Sequence, residues 1–453
     1  MKVDSSFADR KICILGLGYV GLTLAAVMAD VGFEVLGVEI REDVLEGLRS
    51  GQPHFHEPGL AKMLRQGMHE GLLNWAQSIP DDCDANVYVI SVGTPLDENG
   101  KVRLDMIERV TREIAAKARP GALLILRSTV MVGTTNDLVA VILAEAEKGL
   151  QVAFCPERTV EGQALRELRE LPQIVGANDL AVLTRASQIF QFLTSTVVRV
   201  SRCDTAEMVK LIDNTQRDVR FAFANEVARM CDGLGISAQE VIRAGNLGYT
   251  RNHVPMPGPV GGPCLSKDPH ILAQGLARVG VVPQIASVSR ALNEQQLRDV
   301  ATTLRGWTDR FAGFPDKPVI SLLGLAFKGR PATDDLRGTT AEPIFEALRE
   351  AYPGAEFRGF DAVATAEQIA GFGVEPAASF EEAFEGASLV LILNNHPIFE
   401  TIALNELANA MRGPAMIYDL WHNFNAPELR LPEDVGYAAL GNLGSGKYPP
   451  MNP

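Results

Sequence analysis

Two patterns of apolar residues alternate over the first third of the chain. Short runs rich in β-branched residues predict strands at Lys11–Leu17, Glu34–Glu39, Asn86–Val92, Ala122–Arg127 and Gln151–Cys155. Longer segments with helical spacing separate these runs, as at Val20–Val31 and Leu104–Lys117. Alternation of this kind predicts a mainly parallel, doubly wound sheet.

Helical spacing dominates from about Asp204 to Leu304. Between Thr205 and Leu234 no proline interrupts a series of apolar residues at helical spacing, namely Met208, Leu211, Ile212, Val219, Phe223, Val227 and Met230. The pattern predicts one helix of about 30 residues, well above the usual length. Because such a helix commonly links domains or packs against a partner subunit, we expect a homodimer or a higher homo-oligomer.

Strand patterns resume beyond Arg310–Lys317, which reads as a linker. They predict strands at Val319–Leu325, Glu356–Phe360, Leu389–Leu393 and Ala415–Asp419. The segment LGLAFKG at Leu323–Gly329 echoes LGLGYVG at Leu15–Gly21, since both place a glycine turn straight after an apolar strand. The tail after Gly441 is rich in glycine, proline and asparagine and is predicted to be poorly ordered.

The predicted fold class is therefore α/β, with two Rossmann-like, doubly wound parallel-sheet domains joined by a helical central region that contains one long helix. A chain of 453 residues is too long for one ordinary core, which agrees with several domains. The expected boundaries are residues 1–203 for the N-terminal domain, 204–309 for the central region and 310–453 for the C-terminal domain.

Composition narrows the function classes. With 46% apolar and 22% charged residues the chain has the profile of a soluble globular protein. The net charge of −14 argues against a nucleic-acid or membrane-surface binder, and apolar runs fall short of the roughly 18 residues of a membrane span. Six scattered cysteines without a CxxC pair fit a reducing cytoplasm and favour neither a metal site nor disulfides. Met1–Arg10 lacks the apolar stretch of a signal peptide, so the expected location is cytoplasmic.

The turn after the first strand carries a GxGxxG motif at Gly16, Gly18 and Gly21. The first glycine permits the tight turn, the second lets the backbone approach a pyrophosphate, and the third lets the helix pack against the strand. Tyr19 and Val20 then open a helix whose free N–H groups and positive dipole end can hold phosphates. The motif predicts a dinucleotide cofactor.

The second strand ends at Glu39. A carboxylate there accepts hydrogen bonds from a ribose diol and repels a 2′-phosphate, which favours NAD over NADP. Arg41 is the competing feature, because an arginine nearby can accommodate a 2′-phosphate. Thr94 and Thr129 follow later strands, where an open parallel sheet binds ligands, so they are predicted walls of the cofactor cleft, with helix capping as the alternative.

A loop rich in glycine and proline, PGPVGGPCLSKDP at Pro257–Pro269, surrounds Cys264. This composition predicts a shaped loop rather than a buried strand, and Lys267 and Asp268 follow the cysteine closely. A cysteine near a cation on such a loop can act as a nucleophile. An inert loop thiol is the alternative.

Four further segments complete a pattern that covers nearly the whole chain. They are FCPERTVEG at Phe154–Gly162, AEMVKLIDN at Ala206–Asn214, GLAFK at Gly324–Lys328 and DDLR at Asp334–Arg337. With the cysteine loop, and in this order, they resemble the UDP-glucose/GDP-mannose dehydrogenase family. The resemblance implies an N-terminal NAD domain, a helical dimerisation region, a C-terminal nucleotide-sugar domain and two successive hydride transfers to two NAD⁺.

The resemblance also implies catalytic roles at matching positions. Cys264 corresponds to the thiolate that adds to a C6 aldehyde, giving a thiohemiacetal and then a thioester that water hydrolyses. Lys210 and Asn214, four apart on one helix face, correspond to donors that stabilise the C6 oxyanion. Asp268 corresponds to an acid/base residue near the cysteine.

Glu157, with a water held by Thr129, corresponds to the general base for the hydrolysis. Glu161 is implied to lie beside sugar and cofactor, and Arg337 on the cofactor side. The implied substrate contacts are Glu157, Arg158, Glu161, Lys210, Asn214, Arg251, Gly261 and Lys328, with Arg251 reaching across a dimer. For Lys328, Arg337 and Arg251, salt bridges are the alternative.

The implied substrate is a nucleoside-diphosphate hexose. Residues 157–162, ERTVEG, and 170–176, ELPQIVG, look most like members that act on UDP-N-acetylhexosamines. UDP-glucose and TDP-glucose stay open. So do two other functions: a two-electron dehydrogenase of the β-hydroxyacid type, which uses a helical lysine and no cysteine, and a non-catalytic nucleotide-sugar-binding protein.

Overall fold

The structure is a computed structural model that describes residues 2–451. Its strands are β1 Lys11–Leu15, β2 Glu34–Val38, β3 Leu73–Ala76, β4 Val87–Ile90, β5 Leu123–Leu126, β6 Gln151–Phe154, β7 Gln173–Gly176, β8 Val197–Val200, β9 Val319–Leu323, β10 Glu356–Phe360, β11 Glu375–Pro376, β12 Leu389–Ile392, β13 Ala415–Asp419 and β14 Val435–Ala439.

The α-helices are α1 Tyr19–Val31, α2 Glu42–Arg49, α3 Leu60–His69, α4 Asp105–Lys117, α5 Ala140–Glu145, α6 Ala164–Glu170, α7 Leu180–Phe190, α8 Cys203–Leu234, α9 Ala238–Asn246, α10 Gly262–Leu265, α11 Asp268–Ala277, α12 Gln284–Thr308, α13 Ala341–Ala351, α14 Ala366–Phe372, α15 Phe380–Phe384 and α16 Leu404–Leu407. A π-helical turn at Thr135–Val139 precedes α5. None of the helices in the described range is long and apolar enough to cross a membrane.

The described chain forms two compact units. The first contains the chain up to Asn214 together with His270–Pro283, and the second contains Thr215–Pro269 together with the chain from Gln284 onward. The division between the units falls inside α8. The predicted long helix is confirmed and begins two residues earlier than Thr205.

The first unit is built on a sheet with the strand order β3-β2-β1-β4-β5-β6-β7-β8. All neighbours are parallel except β6 and β7, which pair antiparallel. Ile12 and Ile14 pack into the core on one face of the sheet, and Cys13 and Leu15 pack on the other. Because both faces are buried, the strands read as continuous apolar runs, and this pattern made the first strands predictable from sequence.

The second unit is built on an all-parallel sheet with the order β11-β10-β9-β12-β13-β14. The predicted α/β fold with two parallel-sheet regions and a long central helix is therefore confirmed. The strands β3, β7, β8 and β14 did not stand out in the sequence, because runs of four or five residues containing glycine, asparagine or arginine show too little periodicity.

The similarity between LGLGYVG and LGLAFKG corresponds to the same turn in both units. Gly16 and Gly324 have φ angles of 89° and 83°, in the left-handed region that favours glycine. The N–H of each donates to the carbonyl oxygen of the neighbouring strand, at 2.9 Å to Val38 and 2.8 Å to Phe360. In both sheets the strand order reverses beside this turn, which is where doubly wound folds bind ligands.

One expectation about the C-terminal third needs correction. The tail is folded at least to Met451: Tyr437 and Lys447 exchange backbone hydrogen bonds, and the Tyr448 ring packs 5.5 Å from that of Trp307. Its glycines and prolines shape a packed edge rather than a poorly ordered end. The predicted linker Arg310–Lys317 does connect α12 with β9, but Phe311 within it is buried in the core of the second unit.

Candidate active site

The glycine turn of the first unit has the form of a pyrophosphate cradle. A Cβ atom on Gly21 would lie 1.9 Å from the Gly16 carbonyl oxygen, so that close packing requires glycine. At Gly18, by contrast, an added Cβ would meet no atom of the described residues within 4 Å. Gly18 therefore leaves open space at the N-terminus of α1, where backbone N–H groups and the helix dipole attract phosphate. These features fit an NAD pyrophosphate.

Glu39 lies directly beyond β2 and faces this turn. Its Oε2 accepts a hydrogen bond from the Leu17 N–H at 3.0 Å, and its Oε1 accepts one from the Arg41 N–H at 3.1 Å. Arg41 itself is exposed, and its guanidinium pairs with Asp43. The side chain suspected of accommodating a 2′-phosphate is thus turned toward another carboxylate, and Glu39 is the charge beside the loop.

Thr94 and Thr129 follow β4 and β5 and meet each other. The Thr94 hydroxyl donates to the Thr129 carbonyl oxygen at 2.5 Å, and the Ser128 hydroxyl donates to the Val92 carbonyl oxygen at 2.7 Å. These bonds tie the two post-strand segments together. Neither threonine is the N-cap of a helix, so helix capping does not explain them, and their place in the wall of the cofactor cleft stays a prediction.

Glu157 follows β6 and is buried together with Arg127, which directly follows β5. Arg127 Nη2 and Nε donate to Glu157 Oε2 at 2.6 and 3.2 Å. Burial raises the pKa of Glu157, but the Arg127 guanidinium, the Thr159 N–H and the Lys210 ammonium lower this pKa more, so it lies below its ordinary value. Arg127 stood at the end of a predicted strand, and nothing in the sequence indicated this ion pair.

Glu57 is a second buried carboxylate that the sequence did not single out. The Tyr19 hydroxyl, at the first position of α1, donates to Glu57 Oε2. The same oxygen accepts the Gly162 N–H at 2.8 Å, and Oε1 accepts the Leu165 N–H at 3.3 Å. Glu57 therefore connects the start of the cofactor helix with the loop that carries Glu161. It lies in the segment HEPGL, outside the motifs quoted above.

Lys210 and Asn214 are both buried on one face of α8, at the spacing expected of neighbours on a helix. Arg158 also meets this helix, with its Nη1 3.3 Å from Asp213 Oδ2. Near the start of α8, buried Glu207 accepts hydrogen bonds from the N–H and hydroxyl of Thr135, at 2.8 and 2.6 Å. The N-terminal part of α8 is thereby anchored to the segment beyond β5.

In the second unit, Cys264 is exposed and lies in the short helix α10. The glycines before it allow close contact with the segment after β9. A Cβ atom on Gly261 would lie 2.7 Å from the Thr340 methyl carbon, and one on Gly262 would lie 2.3 Å from the Phe327 ring. The Gly262 N–H donates to the Gly338 carbonyl oxygen at 2.7 Å. The segment is shaped by close packing and is not a buried strand, as its composition predicted, although Cys264 itself lies in one helical turn.

A buried polar network on α8 and α12 is hydrogen-bonded to the backbone of the cysteine loop. Arg290, on α12, donates to the carbonyl oxygens of Leu265 and Val260 at 2.9 and 3.3 Å and forms a 2.7 Å ion pair with Asp218 of α8. On α8, Asn225 exchanges two hydrogen bonds with the Gly258 backbone. Sequence reasoning did not identify these residues, because their partners lie on other elements.

The remaining predicted residues of the second unit lie near this loop or on the surface. Asp268 is fully buried at the start of α11, with its Oδ1 4.0 Å from Lys267 Nζ. Lys328 Nζ lies 5.2 Å from the centre of the Phe327 ring. Arg337 forms a bidentate pair with Asp335, and exposed Arg251 stacks on Tyr249.

A cavity of about 580 Å³ lies elsewhere in the second unit. It is lined by α9 and by the segments after β13 and β14, including Arg243, Phe424 and Asn442. Its lining shares no residue with the predicted set, so the functional assignment rests on the glycine turn and the cysteine loop instead.

An open sheet with a glycine turn at its switch point, an open phosphate cradle and an acid beyond β2 define a dinucleotide-binding protein of the doubly wound class. Models of one family match the chain in three consecutive parts: its NAD binding domain at residues 10–194, its central domain at 204–295 and its UDP binding domain at 321–426. The chain belongs to the UDP-glucose/GDP-mannose dehydrogenase family.

Curated relatives and solved structures agree. The UDP-N-acetyl-D-mannosamine dehydrogenase of Pyrococcus horikoshii is 31% identical over 90% of this chain and 94% of its own. An NDP-N-acetyl-D-galactosaminuronic acid dehydrogenase of Ralstonia nicotianae is 33% identical over 76% of this chain and 81% of its own. The structure of a UDP-glucose dehydrogenase from Pyrobaculum islandicum superposes with a TM-score of 0.84 at 27% identity, covering 97% of this chain and 99% of that one.

Proposed function

We propose that the protein oxidises the C6 hydroxyl of a nucleoside-diphosphate hexose to a carboxylate, in a four-electron reaction that passes through a thioester on Cys264. The observation that carries the proposal is an exposed cysteine in a segment that close packing and a buried polar network hold in place. NAD⁺, when bound, supplies the hydride acceptor for both oxidations. The cradle at Gly16, Gly18 and Gly21, with Glu39, is the predicted holder of the cofactor.

Side chains of the protein carry out the other steps of the proposed reaction. Lys210 and Asn214 donate hydrogen bonds to the C6 oxygen while it carries negative charge, and Asp268 exchanges the proton. The Cys264 sulfur bonds to C6 at the aldehyde stage, so that the second oxidation yields an acyl–sulfur bond. Water then adds to the acyl carbon, the carbon–sulfur bond breaks, and Glu157, with Thr129 holding the water, accepts a proton.

Substrate contacts are proposed from the family pattern. Arg158, Glu161 and Gly261 line the sugar, Lys328 meets the diphosphate, Arg337 lies on the cofactor side and Arg251 reaches a partner subunit. The regions 1–203, 204–309 and 310–453 would serve NAD binding, subunit contact and nucleotide-sugar binding, respectively. The UDP binding domain matched at 321–426 and the names of the relatives support a UDP-N-acetylhexosamine as the first substrate to test.

The reaction stoichiometry tests this proposal. Purified protein is incubated with NAD⁺ and, in separate reactions, UDP-N-acetyl-D-mannosamine, UDP-N-acetylgalactosamine, UDP-glucose and TDP-glucose. NADH is followed by absorbance and the sugar product by mass spectrometry. We expect two NADH and one uronic acid per sugar consumed. One NADH per sugar would assign the two-electron reaction instead, and binding without NADH would assign a non-catalytic protein.

A further inference from the structure

Arg127 is among the largest fully buried side chains of the described residues, with 2% of its surface exposed. A buried guanidinium is costly unless its donors are paired. Two of its nitrogens donate to Glu157, as described above, and Nη1 donates to the Cys155 carbonyl oxygen and to Gln173 Oε1, both at 3.0 Å. The Phe190 ring packs over the guanidinium at 5.2 Å. Together these contacts fix the plane of the guanidinium.

The orientation of the Glu157 carboxylate is fixed as completely as that of the Arg127 guanidinium. Oε2 accepts the two Arg127 bonds, while Oε1 accepts the N–H groups of Arg158 and Thr159 at 2.7 and 2.8 Å. A carboxylate has about four lone-pair positions, and four donors occupy them. Glu157 is therefore held as an anion in one orientation. The longest of the four bonds, Arg127 Nε to Oε2 at 3.2 Å, is the one most easily given up.

We infer that Arg127 is a positioning residue for thioester hydrolysis. It holds the Glu157 carboxylate ionised and in one orientation, and it releases one hydrogen bond when that carboxylate accepts a proton from water. The inference rests on the function proposed above. In the step, the water oxygen bonds to the acyl carbon, the carbon–sulfur bond breaks, Cys264 leaves as thiolate and the second water proton stays on the acid product. No electrons are exchanged with a cofactor. The pair has no proposed role in hydride transfer.

The other charged groups near Glu157 come from two further elements. Lys210 of α8 adds positive charge, and Arg158 and Glu167 line a void next to the pair. That void of about 10 Å³ has the size of one water molecule and is also lined by Thr159 and Gln173. Removing Arg127 leaves burial as the main influence on Glu157 and raises the pKa at which this carboxylate becomes protonated.

The test compares Arg127→Gln and Arg127→Lys with wild type by rapid mixing with NAD⁺ and nucleotide sugar. In Arg127→Gln we expect the initial burst of NADH to be retained, steady-state turnover to fall about 100-fold, and an acyl adduct to accumulate on Cys264 by mass spectrometry. In the pH profile of the hydrolysis rate, the acidic limb should move toward neutral pH, because Glu157 stays protonated up to a higher pH. Arg127→Lys keeps the positive charge, so it should restore part of the steady-state turnover and reverse part of the shift in the pH profile.

Arg185 supplies the matched control. It forms a bidentate pair with Asp9 in the same unit, with bonds of 2.9 and 2.7 Å, and it also donates to backbone carbonyls. Arg185→Gln should lower the thermal midpoint and leave burst, turnover and pH profile unchanged. In a Glu157→Gln background, Arg127→Lys should slow hydrolysis no further, because the effect passes through Glu157.

Three results would overturn the inference. In the first, Arg127→Lys slows the NADH burst as much as it slows hydrolysis. In the second, the acidic limb of the pH profile of hydrolysis does not move in Arg127→Gln. In the third, the losses of hydrolysis rate add up when Arg127→Lys is combined with Glu157→Gln. If the arginine variants do not fold, wild type decides: its hydrolysis should persist as pH falls below 4.5, the ordinary value for glutamate, and loss at or above that value contradicts the inference. A wild-type burst without two NADH per site would instead contradict the proposed function.

Discussion

Three carboxylates that follow strands of the two sheets, Glu39, Glu157 and Asp361, show how local contacts set the use of one functional group. Each Glu39 oxygen accepts one backbone N–H, which leaves acceptor positions for a ribose diol. Glu157 accepts four donors, two of them from Arg127, and is held in one orientation. Asp361, beyond β10, accepts the N–H groups of Ala326, Val363 and Ala364, so it stabilises the turn itself. The donors at each acid thus set its use: Glu39 keeps acceptor positions for a ligand, Glu157 is held in one orientation for its proposed role as a general base, and Asp361 stabilises a turn.

At this scale we predict that coenzyme choice depends on Glu39. Wild type should prefer NAD⁺, because a 2′-phosphate would meet the carboxylate, while Arg41 is paired with Asp43. Glu39→Gln keeps one acceptor for the loop and removes the charge, so the ratio of kcat/KM for NAD⁺ over NADP⁺ should fall about tenfold, or about 1.4 kcal/mol. Glu42→Gln, at a nearby exposed acid, should leave this ratio unchanged. Equal kcat/KM values for the two coenzymes in wild type would refute the role of Glu39.

We also predict that Cys264→Ser abolishes acid formation while substrate binding persists. Serine preserves the loop but is a far weaker nucleophile at neutral pH, so steady-state turnover should fall by more than about three orders of magnitude, roughly 4 kcal/mol. Calorimetry should show nucleotide-sugar and NAD⁺ affinities close to wild type. Cys83→Ser, at another cysteine that is not fully buried, should retain activity. Near wild-type turnover of Cys264→Ser, with two NADH per sugar, would rule out covalent catalysis here.

At the scale of elements, α8 combines two tasks that the sequence presented as one apolar pattern. Its N-terminal part carries buried Lys210 and Asn214. Farther along, Phe223 and Met230 leave 53% and 50% of their surface exposed, while Ala224 and Ala228 between them are buried. Apolar residues therefore extend beyond the face that the core covers, and a partner subunit would bury the remainder.

From this we predict that the exposed apolar residues of α8 support self-association. Sedimentation velocity at micromolar concentration should give a mass above the 49.0 kDa of one chain. The double variant Phe223→Asp with Met230→Asp should shift the protein toward monomer, because charges would be buried in the contact, and its circular dichroism should stay unchanged. Glu226→Gln, an exposed polar change on the same helix, serves as the control. A monomeric wild type would refute this prediction.

At the scale of the molecule, two units reuse one turn for different ligand chemistry. Where the first unit has Gly18 with open space, the second has Ala326, whose N–H is taken by Asp361. Where the first has Val20, the second has Lys328. The second turn therefore offers a cation instead of an open dinucleotide cradle, in agreement with the UDP binding domain that the family model assigns to residues 321–426.

The sequence by itself determined what depends on neighbours along the chain. Strands buried on both faces, the long amphipathic pattern of α8, the glycine turn and the shaped loop at Cys264 are all local signals, and their order indicated the family. The contacts that tune the site were decided only by tertiary structure. Glu57 and Gly162 are 105 residues apart, and Arg290 reaches Asp218 across 72. A buried charge is stable only beside a partner, and that partner is brought to it by strand order and helix packing rather than by any pattern along the chain.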